Sequence, residues 1–149
     1  MKCLKRLLFI FLIVITLLWG YASSLIGVDE KAKSYLTVLK TELIKQGYQP
    51  NYFVISGRRW QLDNYLLSRF GGAAKNSTHK NGQAIDIIVL DVNNDDQSNS
   101  KDVDIVYAIL DRKIIKDKGG LGSYKNESVF FNRQMIHFDC RGNRARWSR

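Results

Sequence analysis

Two histidines are all the chain has, and each stands near a carboxylate. His79 lies in the run STHKNGQAID, Ser77 to Asp86, where a loop of small polar residues leads to Asp86 and into an apolar stretch. His137 lies in MIHFDC, where strand alternation sends Met135, His137 and Asp139 to one face and Ile136, Phe138 and Cys140 to the other. A histidine and a carboxylate two apart on a strand project side by side. That suits a metal ligand with its neighbouring base, or an imidazole with the partner that fixes its tautomer. His79, Asp86 and His137 together offer an N,O,N set of the sort that leaves a tetrahedral zinc one position for water. The competing reading is a surface histidine beside an ordinary turn, and spacing alone does not decide between them.

The elements that must carry these residues are legible from periodicity. From Asp29 to Gly47 the apolar residues Ala32, Tyr35, Leu36, Leu39, Leu43 and Ile44 recur at three and four, with acids first and a glycine last, which predicts a helix. Tyr52 to Ile55 reads as a short strand, Trp60 to Phe70 as a helix stopped by Gly71 and Gly72, and Ala84 to Leu90 as a central strand apolar on both faces. Asp91 to Asp102 has the composition of a solvated loop; its acids lack the glycine and closing glutamate of an EF-hand. Val103 to Lys116 reads as a helix, GGLGSY as a glycine-rich turn bordering the cleft, and MIHFDC as the last strand. Gly119, Gly120 and Gly122 lack the lysine and following helix of a phosphate-binding loop. The expectation is one small α+β domain, residues 29–149.

Ahead of it, MKCLKR and the apolar run that follows predict a signal peptide or signal anchor over residues 1–28, with the domain outside the cytoplasm. Membrane association would come through that segment, leaving the protein anchored to the inner membrane or secreted to the periplasm. Cys3 lies before the apolar run and Cys140 near the C-terminus, so no intrachain disulfide is expected, and Cys140 reads as a buried apolar residue. The net charge of +9 is densest in the tail RGNRARWSR. Outside the cytoplasm this suits anionic envelope polymers or lipid head groups rather than nucleic acid, which is not an expected partner; a solvated tail is the simpler alternative.

The pattern SxHxxGxAxD, present as Ser77, His79, Gly82, Ala84 and Asp86, resembles the signature of the zinc D-Ala-D-Ala carboxypeptidase and murein endopeptidase family (VanY-like), whose fold is shared with the hedgehog signalling domain. SGRR at Ser56 to Arg59, GGAAKNSTH, GGLGSY and IHFDCRGNRARW are similar to the family's other landmarks and follow in its order. The resemblance implies a small antiparallel sheet with flanking helices and one zinc per chain, held by His79, Asp86 and His137. Gly82 would allow the tight turn between the first two ligands, and Ala84 would leave space beside the site. It also implies metal-assisted amide hydrolysis, in which zinc polarises the scissile carbonyl and lowers the pKa of its water toward about 7 while a carboxylate carries the proton to the leaving amine.

Many relatives carry a glutamate three residues before the last histidine ligand. Here that position is Gln134, which cannot act as a base, so Asp139 is the expected catalytic replacement. The same pair also permits Asp139 as ligand with His137 handling protons, or Asp139 only orienting His137. Arg59 matches the family's arginine for substrate carboxylate or oxyanion, and Ser77 is expected to donate a hydrogen bond beside the ligands rather than act as nucleophile. Trp147 and Tyr124 line a groove or merely pack. The implied function is hydrolysis of peptide bonds in the stem peptides or cross-links of bacterial peptidoglycan, with endopeptidase ahead of D,D-carboxypeptidase. The alternative is a non-catalytic zinc-containing module of the cell envelope that binds murein or a protein.

Overall fold

The computed structural model describes residue 11 and residues 25–70, 74, 76–125 and 134–149. The expected signal or anchor lies outside the described residues apart from position 11 and residues 25–28. Among the described residues no helix is long and apolar enough to cross a membrane.

Helix α1, Glu30–Lys45, starts where the sequence reading puts it: the carboxylate of Asp29 accepts the Lys31 amide at 2.8 Å, and Glu30 supplies the favourable charge in the first turn. Ala32, Tyr35, Leu39 and Leu43 form its buried stripe. Strand β1, Tyr52–Ser56, helix α2, Gln61–Phe70, a 3₁₀ turn, Thr78–Asn81, and strand β2, Ala84–Val89, follow. Helix α3, Ser100–Ile109, is nucleated by a capping box in which Asn99 and Asp102 bond each other's backbone amides. The buried Asp102 carboxylate also accepts the amides of Val92 and Asn93, so it ties the preceding loop to the helix. The last part of the expected helix is wound as a π-helical turn, Leu110–Ile115, ending at Lys116 with φ +51°.

Strands β3, Gly120–Tyr124, β4, Met135–Asp139, and β5, Ala145–Ser148, complete a five-stranded sheet in the order β1-β2-β4-β3-β5. The expected turn and the expected antiparallel sheet are both corrected here. GGLGSY, apart from Gly119, is the strand β3 and not a turn, and the basic tail, for which a solvated end is the simpler alternative by sequence, carries the edge strand β5. Because β5 runs parallel to β3, the sheet is mixed and not wholly antiparallel. The tail is held by charge as well as by pairing: Arg144 and Arg146 both pair with Asp111 of the π-helical turn. Its basic residues are thereby partly spent within the fold.

One face of the sheet is the core. Val54, Ile85, Ile87, Ile136, Phe138 and Leu121 pack there with the buried stripes of α1 and α3, and Cys140 is buried beside them, as expected. Among the described residues, nineteen mostly aliphatic side chains form this cluster, and their burial is the main stabilising contribution where no disulfide is present. On the opposite face, register aligns Ser56, Asp86, His137, Gly122 and Trp147 in one row across all five strands. That row carries the candidate chemistry.

Candidate metal centre

His79 is placed by its turn. The Ser77 hydroxyl oxygen accepts the His79 amide at 3.4 Å, so this serine caps the turn and receives a hydrogen bond where the sequence reading has it donating one. Gly82 ends the turn at φ +70°, and a Cβ there would stand 2.2 Å from the Gly27 carbonyl oxygen, so both conformation and room require glycine. The Arg59 amide donates to the His79 carbonyl at 3.0 Å, fastening the turn to the segment after β1. The imidazole is 1% exposed, and its Nδ1–H donates to the Gly57 carbonyl at 2.5 Å. With a proton committed there, Nε2 is the nitrogen of His79 that faces Asp86 and His137.

Asp86 and His137 are direct neighbours across the β2–β4 pair. Asp86 Oδ1 lies 3.1 Å from His79 Nε2 and 2.8 Å from His137 Nδ1, and the two ring nitrogens are 3.1 Å apart. All three residues are buried. The other carboxylate oxygen, Oδ2, accepts from Arg59 Nη2 at 2.5 Å, while Arg59 Nε donates to Ser56 Oγ at 2.9 Å. Arg59 is therefore engaged with Asp86 and the β1 terminus.

The far side of His137 is equally structured. Its Nε2 lies 3.2 Å from Asp139 Oδ2. Asp139 is 0% exposed and accepts from the Gly120 amide at 2.8 Å, from the Arg141 amide at 3.1 Å, from Arg141 Nε at 2.9 Å to each oxygen, and from Arg141 Nη2. Thr78 Oγ1 stands 3.4 Å from Oδ2. Glycine makes this crowding possible: a Cβ at Gly120 would lie 2.3 Å from Asp139 Oδ2, and one at Gly119 would lie 2.0 Å from the Asp139 carbonyl oxygen.

These partners dominate the electrostatics. Burial pushes the His137 imidazolium down, but hydrogen bonds to Asp139 and Asp86 outweigh it and hold the group up to about 9. Burial likewise opposes charge on Asp86, yet the neighbouring His79 and the bond to His137 bring it well below the usual carboxylate range. Asp139, also penalised by burial, is lowered by His137, Arg141 and the Gly120 amide.

In the metal-free arrangement one proton on His137 Nδ1 faces two acceptor atoms, Asp86 Oδ1 and His79 Nε2. A divalent cation answers the same need with all three as donors. The donor chemistry fits zinc: two imidazole nitrogens and one carboxylate oxygen, each with its outer atom already held. Sequence reasoning brought His79, Asp86, His137, Arg59, Ser77 and Asp139 to this site, and the fold assembles all six. It missed the Gly57 carbonyl and Arg141; the position of Arg141 two residues after Asp139 was the available signal. Gln134, at φ +57°, is tied by its amide to Ser98, with Ser98 Oγ donating to Oε1 at 2.8 Å.

Trp147 closes the row. Its indole centroid is 5.2 Å from that of His137, tilted by 43°, and Nε1–H donates to Tyr124 Oη at 2.9 Å. The Arg141 guanidinium carbon lies 5.7 Å from the indole centroid, within cation–π range.

No protein-family model and no curated protein matches the chain. Among solved structures it is similar to the L-Ala D-Glu endopeptidase ChiX of Serratia marcescens, with 15% identity, 81% of this chain and 86% of that chain covered, and a TM-score of 0.49.

Proposed function

We propose that this chain is a zinc-dependent peptidase that hydrolyses peptide bonds in bacterial cell-wall peptidoglycan, acting as an endopeptidase rather than a D,D-carboxypeptidase. The observation that carries the reading is the convergence of His79 Nε2, Asp86 Oδ1 and His137 Nδ1 to within 3.1 Å of one another in a buried site. Substrate class rests on the resemblance of SxHxxGxAxD and its companion segments to the murein peptidases. The apolar run ahead of the domain supports a location in the cell envelope, anchored to the inner membrane or exported to the periplasm, with the membrane and peptidoglycan as partners and no nucleic acid.

His79, Asp86 and His137 would hold the ion, one per chain. Zinc bound there supplies Lewis-acid polarisation of a carbonyl and acidifies water. The protein's own residues hold this geometry. The Gly57 carbonyl keeps the His79 proton on Nδ1; Arg59 occupies the outer oxygen of Asp86, so Oδ1 faces inward; Trp147 walls one side of His137. Asp139, surrounded by donors, serves as the partner of His137 in preference to a free base, because accepting a proton would cost it at least one of those bonds.

A second reading is favoured by a specific observation. Among the described residues, both carboxylates at the site are committed to arginines, and Gln134 is bound to Ser98. A zinc-containing module that binds murein or a protein without turnover fits that arrangement. One experiment separates the two: purified peptidoglycan is incubated with the zinc-loaded or chelator-treated chain, and the muropeptides are resolved by mass spectrometry. Zinc-dependent new fragments establish the peptidase and name its bond. An unchanged profile from a chain carrying one zinc moves the reading to the binding module or to a peptidase that lacks its activator.

A further inference from the structure

We infer that Arg141 is a positioning residue: acting through Asp139, it holds a proton on His137 Nε2 and fixes the aim of the ring, so that Nδ1 is the nitrogen left for a metal shared with Asp86 and His79. The inference rests on the metal-centre reading and holds whether or not turnover follows. Its basis is an unbroken chain of contacts. The Arg141 fork reaches both oxygens of Asp139 through Nε, and Nη2 adds a bond to Oδ2, the oxygen that faces His137 Nε2. A carboxylate can only accept, so Asp139 keeps a proton on Nε2, and Nδ1, which faces Asp86 and His79, is the nitrogen left to bind an ion.

The orientation of Asp139 is fixed independently of the histidine. The amides of Gly120 and Arg141 both point at Oδ1, which leaves Oδ2 as the oxygen nearer the imidazole. Gly120 is part of the device, since a Cβ there would meet both Asp139 Oδ2 and, at 2.9 Å, Arg141 Nη2. Arg141 has no contact with the three ligand atoms of its own, and its side chain is 32% exposed while that of Asp139 is wholly buried. An exposed residue thus governs a buried one through a single saturated carboxylate.

The test reads metal binding rather than turnover. Zinc affinity of the full-length chain is measured by competition with a chromophoric chelator, and the cobalt(II)-loaded chain reports the ligand set through its visible spectrum. In Asp139→Asn the amide oxygen takes the place where the two backbone amides point, so the NH₂ group faces His137 Nε2 and drives the proton to Nδ1. Zinc affinity is expected to fall by about 10- to 100-fold with an altered cobalt spectrum. Arg141→Ala is expected to weaken binding by about 10-fold, and millimolar guanidinium should restore it by entering the vacated, solvent-accessible position. Near-UV circular dichroism verifies the fold of each variant.

Wild-type affinity and spectrum in Asp139→Asn would overturn the inference. So would an Arg141→Ala loss that guanidinium leaves unchanged in a natively folded chain. Failure of the wild-type chain to bind either metal is a different result, since it removes the metal-centre reading itself.

Discussion

Gly122 on β3 and Trp147 on β5 are partners in parallel register, and the indole occupies the space a side chain at 122 would need: a Cβ there would lie 2.2 Å from both Cε2 and Nε1 of the ring. The same glycine is the register partner of His137 on its other side. Absence of a side chain at one position therefore lets an aromatic wall stand against the row that carries the candidate metal site. Gly122→Ala is expected to displace the indole and cost about 1–3 kcal/mol by overpacking. Denaturant unfolding measures it, and a wild-type midpoint would show that the indole moves aside freely.

Zinc should be stoichiometric and indispensable. The wild-type chain is expected to carry one zinc, whereas His79→Ala and His137→Ala carry close to none, because two remaining donors do not hold the ion firmly. Chelation should remove any hydrolysis of peptidoglycan, and added zinc should restore it. Elemental analysis after gel filtration checks the first part; hydrolysis that survives complete removal of metal would refute the second.

The metal-free chain should be less stable in alkali. His137 is raised to about 9, so the folded chain holds its proton more tightly than the unfolded chain does. That contribution is complete below about 6.5, the unfolded value, and is lost as the pH climbs through about 9; it is on the order of 3 kcal/mol. Asp86 and Asp139 are lowered, so their contribution is present above about 4 and lost in stronger acid. The metal-free chain is thus expected to be most stable between about pH 4 and 6.5. Zinc should abolish the alkaline loss by standing where the proton stood. Urea unfolding at several pH values, with chelator or with zinc, tests this; a flat metal-free profile from neutrality to pH 9 would contradict it.

Gly82→Ala should damage the metal centre through its turn. The substitution forces a side chain into positive φ and against the Gly27 carbonyl, costing about 1–3 kcal/mol or more. Since Gly82 closes the turn that carries His79, zinc affinity should fall together with stability. Chelator competition on the folded variant is the measurement, and undiminished affinity would mean that the His79 position does not depend on this turn.

Local pattern was a reliable guide wherever the information lies within a few residues. The stripe from Ala32 to Leu43 and the leading acids marked α1 to within two residues at each end, because a helix repeats its buried face every three to four positions. Alternation in MIHFDC put His137 and Asp139 on one face, and the structure has them there. GGLGSY misled for an equally local reason. Glycine usually signals a turn, but here glycines sit in a strand to make room for Asp139, Arg141 and Trp147, none of which is near in sequence.

The sequence by itself determined the candidate ligand types, the spacing of His79 and Asp86 around a glycine turn, and the polar face of β4. Only the tertiary structure decided that β4 inserts between β2 and β3, which sets His137 beside Asp86, and that β5 returns parallel to β3, which sets Trp147 beside His137. Strand order depends on which distant segments bury one another's faces, and no short-range periodicity records that choice. The role of Arg141 belongs to the same category: its fork has meaning only once Gly120 has left space for it around a buried carboxylate.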